Sequence, residues 1–277
     1  MSKKKGTKTR NIYHRKDSTG KQNNRRVTCK FCGTKHYESK YHYCVYKPSV
    51  LDLYCCAGGA ALGYYQAGFN VTGIDIQQRN NYFADFIRAD AIEYLKQHGH
   101  EYDFVHASPP CQKYSRSTGQ WRAQGRTYVD LVDDTRDALR EVGRPYVIEN
   151  VPQAPLRKDL ELRGEMFGLK VIRKRIFEFG GLVFPTAPPP FKAISVMRGE
   201  AVIVYGNASF KSTGHGNYGE PGRRQIIPEW RKDTVRETWA YAMGMPNYIT
   251  DRELSESIPP AYTRFIGENV LPLLHRR

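Results

Sequence analysis

The hydrophobic rhythm of this chain changes near residue 48. Residues 1–26 are polar and basic with no hydrophobic period, which predicts a disordered arm. Beyond residue 48, short apolar runs alternate with segments of helical spacing. Residues 49–54 read as a buried strand, Ala57-Gly58-Gly59 as a turn and residues 60–67 as a helix. Residues 70–74 then read as a second strand ending in Asp75. This is a βαβ unit. Residues 86–88 predict a third strand, 91–96 a helix, 104–107 a fourth strand and 146–148 a fifth. Residues 128–142 have helical spacing, with Leu131, Thr135, Ala138, Leu139 and Val142 on one face. Strands alternating with helices predict an α/β fold with a doubly wound, mostly parallel sheet.

After Arg175 the texture changes. Residues 185–190 hold four prolines, and residues 206–222 hold five glycines among basic and aromatic side chains. Such punctuation predicts a small loop-rich lobe. Residues 257–274 read as a helix whose first turn suits Pro259-Pro260. The organisation expected is an arm at 1–26, a Cys/His module at 27–47, a core at 48–180, a lobe at 181–245 and a returning helical segment at 246–277.

Charge adds a partner to this picture. The net charge is +15, and residues 1–26 alone carry ten Lys and Arg against one Asp. Each such cation can displace a counterion from a phosphate backbone, so nucleic acid is the expected partner. No apolar run approaches the roughly 18 residues needed to span a bilayer, so no membrane partner is expected. The basic start has no apolar stretch after it and does not read as a signal peptide. The six cysteines are therefore expected as reduced thiols in a cytoplasmic setting.

Three of those cysteines crowd the module. Cys29 and Cys32 have the spacing of a zinc knuckle, and Cys44 supplies a third sulfur. His36 and His42 compete for the fourth position, and the set read here is Cys29, Cys32, His42 and Cys44. Tetrahedral zinc would give so short a loop its shape, and a closed four-ligand site points to a structural role.

The tightest cluster of chemistry is Ser108-Pro109-Pro110-Cys111-Gln112, directly after the fourth predicted strand. The prolines stiffen the loop and would present a thiol at the carboxyl end of a strand, where open α/β sheets bind ligands. A cysteine held there is a candidate nucleophile.

Five segments in order carry a family resemblance: residues 51–63 around Ala57-Gly58-Gly59, Ser108-Pro109-Pro110-Cys111-Gln112, Ile148-Glu149-Asn150-Val151, Arg173-Lys174-Arg175-Ile176-Phe177, and residues 258–267. Together they resemble the cytosine-C5 DNA methyltransferases, especially the short bacteriophage-type members, over roughly residues 49–275. The resemblance implies a Rossmann-like S-adenosylmethionine-dependent fold acting on double-stranded DNA. Self-protection against restriction would be its purpose. It implies Cys111 as the thiol adding to carbon 6 of cytosine and Glu149 at ring nitrogen 3. Arg173 and Arg175 would steady the developing charge. Tyr54, Gly58, Gly59, Asp75, Asp90 and Pro109 would hold the methyl donor, Asp75 at the ribose and Asp90 at the adenine. Gln112, Ser115, Asn150, Arg223 and Arg224 would meet the substrate. Arg116, Arg122 and Arg126 would close over a base flipped from the duplex.

The pattern also departs from the family. Cys56 stands where the first glycine of the donor turn is usual, Val171 where a Gln precedes the paired arginines, and residues 255–257 lack the usual Asn. Two other readings follow: the same chemistry on RNA, and an inactive DNA-binding protein on a methyltransferase scaffold. A monomer is assumed.

Overall fold

The computed structural model describes residues 10–11, 26–28, 35–37, 43–44, 47–184, 186–196, 198–204 and 230–274. The chain forms two units, residues 1–47 and 48–277. In the first, β1 (Arg10–Asn11) pairs antiparallel with β4 (Tyr43–Cys44), and β2 (Arg26–Thr28) with β3 (Lys35–Tyr37). Strand β1 falls in the segment expected to lack structure. Two-residue pairing rests on backbone bonds and needs no hydrophobic period, so the pattern gave no sign of it. Of the expected zinc ligands, Cys29, Cys32 and His42 lie outside the described residues, and Cys44 contributes backbone to β4. Among the described residues no group of His, Cys, Asp and Glu is placed to hold a metal.

The second unit is built on a seven-stranded sheet of β5 (Ser49–Leu53), β6 (Asn70–Asp75), β7 (Asp85–Arg88), β8 (Phe104–Ala107), β9 (Tyr146–Asn150), β10 (Leu160–Leu162) and β11 (Arg175–Gly180). Their order across the sheet is β10-β11-β9-β8-β5-β6-β7. The five strands from β7 to β9 run parallel, and β11 and β10 close one side antiparallel. The chain runs outward from β5 through β6 to β7, then returns to lay β8 on the other side of β5. The switch point therefore opens between the carboxyl ends of β5 and β8, where such sheets bind ligands.

Alternation sorts the strand residues onto two apolar layers. Val50, Val71, Phe104, Val147 and Phe177 pack with α1 (Gly59–Ala67) and α7 (Pro260–Leu274). Leu51, Leu53, Ile74, Val105 and Ile148 pack with α2 (Ala91–His98) and α4 (Val132–Val142). Close approach of α1 to α7 depends on a glycine. A Cβ on Gly63 would stand 2.0 Å from Thr263 Oγ1 and 2.1 Å from Pro260 O. On the opposite layer, Arg136 of α4 grips the buried Glu178 of β11 bidentately, Nε to Oε1 at 2.9 Å and Nη2 to Oε2 at 3.1 Å.

Helix α4 starts later than its spacing predicts. Asp130 accepts from Val132 N and from Lys113 Nζ and the Tyr114 hydroxyl, so the preceding residues belong to the loop after Cys111. A short α3 (Gly119–Ala123) lies within that loop. Helix α5 (Val235–Met243) falls where no helix was expected, and α6 (Asp251–Glu256) stands as a separate helix within the returning segment, ahead of the helix read from residue 257. Each opens with a capping box, Thr234 with Glu237 and Thr250 with Glu253. They bury Trp239, Met243 and Leu254 against Cys56, Ala57, Val171, Val202 and Val204.

Candidate active site

The loop that leaves β8 is held from several sides. His106, fully buried in β8, is within 3.0 Å of the Tyr64 hydroxyl at Nδ1 and 2.9 Å of Ser108 Oγ at Nε2. Burial lowers its pKa to about 3, so it is neutral and bridges α1 to the loop. Asn150 Nδ2 donates to Pro109 O at 2.9 Å, while its Oδ1 accepts from Val151 N. Both ends of the Asn150 amide are thus engaged within the protein, which makes it a strut for the loop. Cys111 follows, half-buried, its carbonyl accepting from Tyr114 N and Ser115 N.

Three charged groups act on the Cys111 thiol. Burial raises its pKa, Arg175 lowers it, Glu149 raises it and Arg173 lowers it. Glu149 is buried near the carboxyl end of β9, beside β8 in the sheet. Arg175 Nε lies 2.8 Å from Glu149 Oε1. The contact is an ion pair by distance, yet the N–H does not align with the oxygen, which is buried without a hydrogen-bond donor. Arg175 Nη1 donates to Lys174 O. Arg173 is differently placed. Its Nη1 and Nη2 donate to Val204 O and Ser255 O at 2.8 and 2.7 Å, and its Nε is buried without a partner. Burial lowers its pKa to about 9, and Arg175 adds to that, so it stays cationic at neutral pH.

Arg122 does not reach outward. Its Nη1 donates to Gln112 O at 3.0 Å and Ser115 O at 2.7 Å, fixing the loop after the thiol. Ser115 Oγ is 2.8 Å from Ser117 Oγ and accepts from Ser117 N. Arg116 and Arg126 are exposed, and neither has a carboxylate partner among the described residues. Arg223 and Arg224 lie outside the described residues.

Of the expected donor residues, Tyr54, Gly58 and Gly59 follow β5, Asp75 ends β6, Asp90 follows β7 and Pro109 follows β8. Tyr54, at φ 59°, turns its hydroxyl to Thr135 Oγ1 of α4 at 2.7 Å. Cys56 holds φ 47°, the left-handed backbone for which glycine is favoured. Gly58 holds φ 83°. Gly59 is explained by packing, since a Cβ there would stand 2.4 Å from Ile258 O. Asp90 caps α2, its Oδ1 accepting from Ile92 N and Glu93 N at 2.9 and 3.0 Å, so helix capping alone accounts for it.

Asp75 tests whether S-adenosylmethionine fits. Its Oδ2 accepts from Cys56 N at 3.1 Å and faces Arg79 Nη2 at 3.0 Å, and Oδ1 accepts from Gln77 N at 2.9 Å. A carboxylate offers about four lone-pair positions, so one on Oδ1 stays open for a ribose hydroxyl. Ile76, next in the chain, is 66% exposed and offers an apolar surface to an adenine ring. The residues fit the donor. Sequence reasoning missed Ile76 and Arg79, the ion-pair partner of Asp75. Ile76 could have been found as an apolar residue directly after the strand-end acid, whereas nothing in Gln77-Gln78-Arg79 marks the arginine.

No family model matches the chain. A protein of Oceanobacillus iheyensis named as a type II methyltransferase is 30% identical over 138 residues, covering 39% of this chain and 29% of that protein. The chain thus spans less than a third of the curated relative it matches. Three solved structures superpose on most of it. A DNA modification methyltransferase encoded within a prophage of E. coli gives a TM-score of 0.52 at 15% identity, covering 83% of this chain and 100% of that one. The Entamoeba histolytica methyltransferase EhMeth gives 0.54 at 11% identity, covering 83% and 99%. The S. pombe Dnmt2 methyltransferase gives 0.51 at 13% identity, covering 82% and 99%. At such identities the likeness concerns the fold. The chain has the Rossmann-like fold of the S-adenosylmethionine-dependent methyltransferases, and the resemblance read in the sequence is borne out at that level.

Proposed function

We propose that this chain is a methyltransferase that moves a methyl group from S-adenosylmethionine to carbon 5 of cytosine in DNA. The observation that carries the reading is the convergence of Cys111, Glu149 and Arg175 at neighbouring strand ends, beside a switch point with an acid suited to ribose. Carbon 5 of cytosine is a weak nucleophile. Addition of the Cys111 thiolate to carbon 6 makes the ring an enamine that can accept a methyl group. Glu149 Oε1, buried without a donor, hydrogen-bonds ring nitrogen 3 and carries the proton that neutralises it. Arg175 holds Glu149 in place and favours the thiolate. S-adenosylmethionine, when bound, supplies the electrophilic methyl group. Release of the carbon 5 proton to solvent then expels the Cys111 thiolate, the nitrogen 3 proton returns to Glu149, and the ring is restored.

A base inside a duplex cannot reach a thiol in this loop, so the target leaves the stack at a cost of a few kcal/mol. Arg116 and Arg126, both exposed and the latter over the Tyr128 ring, would meet the distorted backbone. In this reading the 27–47 module, with zinc on Cys29, Cys32, Cys44 and a histidine, and the 181–245 lobe hold the nucleic acid. No helix among the described residues is long and apolar enough to cross a membrane.

The test is nucleoside mass spectrometry on cells lacking cytosine methylation that express wild type or Cys111→Ala. The reading expects 5-methyldeoxycytidine in DNA with the wild type only. Signal confined to RNA would overturn the DNA substrate, and no modified base from soluble protein would overturn the activity.

A further inference from the structure

The Cys111 thiol is fixed by the chain ahead of it. Among the described residues, the hydrogen bonds of the loop after Cys111 stay within that loop: Arg122 reaches Gln112 O and Ser115 O, and Lys113 and Tyr114 reach Asp130. Ahead of the thiol, three bonds tie the loop to the sheet. Ser108 N donates to Leu53 O of β5 at 3.2 Å, Asn150 Nδ2 of β9 donates to Pro109 O at 2.9 Å, and Ser108 Oγ meets His106 Nε2 of β8 at 2.9 Å. Pro109 and Pro110 then hold φ fixed over the two residues between Ser108 and Cys111, so a displacement of Ser108 passes to the thiol.

The direction of the side-chain bond follows from Tyr64. Tyr64 and His106 are both fully buried, and His106 Nδ1, at 3.0 Å, is the one acceptor that the Tyr64 hydroxyl has among the described residues. A buried hydroxyl left without an acceptor is costly, so Tyr64 donates to Nδ1. A neutral imidazole has one N–H, which then stands on Nε2 and donates to Ser108 Oγ. With the proton on Nδ1 instead, the buried tyrosine hydrogen would have no partner. The Ser108 hydroxyl is half-buried and can send its own hydrogen to water. We propose that Tyr64 and His106 are positioning residues for the nucleophile. Tyr64 selects the Nε2–H tautomer of His106, and that N–H sets Ser108, and through it Cys111, for attack on the base. The inference rests on the methyltransferase reading above. Neither residue acts on the charge of the thiol, whose pKa answers to burial, Arg175, Glu149 and Arg173.

Two neutral changes separate the halves of the bridge. His106→Gln carries an amide N–H to the place of Nε2 and keeps the bond to Ser108. His106→Asn carries an amide oxygen to the place of Nδ1 and keeps only the bond to Tyr64. Covalent adduct formation with duplex DNA containing 5-fluorocytosine is timed on the full chain at saturating DNA and S-adenosylmethionine. His106→Asn and Ser108→Ala are expected to slow it about tenfold, and His106→Gln by less than about threefold, because a small misplacement of a nucleophile is costly. The pH midpoint of Cys111 alkylation is expected to stay unchanged in all three. Equal rates in His106→Gln and His106→Asn, or a midpoint that moves with the rate, would overturn the inference. Nitrogen-15 spectra of the wild type, which need no variant to fold, are expected to show the His106 proton on Nε2; a proton on Nδ1 would overturn it. A wild type that binds DNA and donor yet forms no adduct would overturn the methyltransferase reading, and this inference with it, whichever tautomer is found.

Discussion

Arg175 Nε lies 2.8 Å from Glu149 Oε1 across the antiparallel pair of β11 and β9, and both charges act on the Cys111 thiol. Burial raises that thiol above the ordinary cysteine value, and Arg175 is the largest charge acting against the rise. The thiolate is the reactive form. Alkylation of Cys111, followed by peptide mass spectrometry, should therefore accelerate with a midpoint above the ordinary thiol range. Arg175→Gln should move the midpoint further up and slow alkylation at pH 8 roughly tenfold. A midpoint unmoved in that variant would remove Arg175 from the account of thiol activation.

Arg136 and Glu178 join α4 to β11 through two nearly parallel bonds inside the protein. Removing one partner leaves the other as an unpaired buried charge. Arg136→Ala should lower the unfolding free energy by about 3 kcal/mol, read from urea denaturation. Glu178 is also shifted, since burial raises its pKa but the Arg136 and Arg157 N bonds together take it below the ordinary value. Its contribution is present above the unfolded pKa and is lost as pH falls through the folded one. The loss in Arg136→Ala should shrink in acid; a loss independent of pH would place the effect in packing alone.

Asp52 is fully buried in β5 beside His106 of β8, and its Oδ1 has no partner. Burial raises its pKa to about 8, while the Tyr82 hydroxyl opposes the rise. The folded state thus binds a proton that the unfolded chain has released. Stability is full below the unfolded value near 3.8 and declines as pH rises to about 8. Asp52→Asn keeps an acceptor for Tyr82 and should flatten that decline. Thermal melting at pH 5 and pH 8 measures it, and an equally steep decline in the variant would assign the dependence to other groups.

The sheet was legible where its strands are parallel and buried. β5, β6 and β8 fall within a residue of the ranges read from apolar runs, because strands covered on both faces are continuously hydrophobic. β10 and β11 were not read. Arg175-Ile176-Phe177-Glu178-Phe179 places charges among its apolar residues, and those charges are buried only because Arg136 and Glu149 meet them from neighbouring elements. Pairing of that kind is tertiary and leaves no local signal. α5 and α6 did leave one, in their capping boxes, which the surrounding glycines and prolines obscured.

The site divides in the same way. Cys111 and Glu149 stood out because their neighbours in sequence are themselves constrained. The struts did not: Asn150 read as a substrate group, and Arg122 as a residue for DNA. Their bonds to Pro109 O and to Gln112 O and Ser115 O depend on how the loop folds back.

The central claim is that Cys111 attacks cytosine. The most direct measurement is denaturing electrophoresis after incubating the protein and S-adenosylmethionine with duplex DNA containing 5-fluorocytosine. The fluorine at carbon 5 cannot leave as a proton does, so an attacking thiol stays attached. The account predicts a covalent protein–DNA band with wild type and none with Cys111→Ala. A band that persists in the variant, or its absence from wild-type protein that binds both DNA and donor, would contradict it.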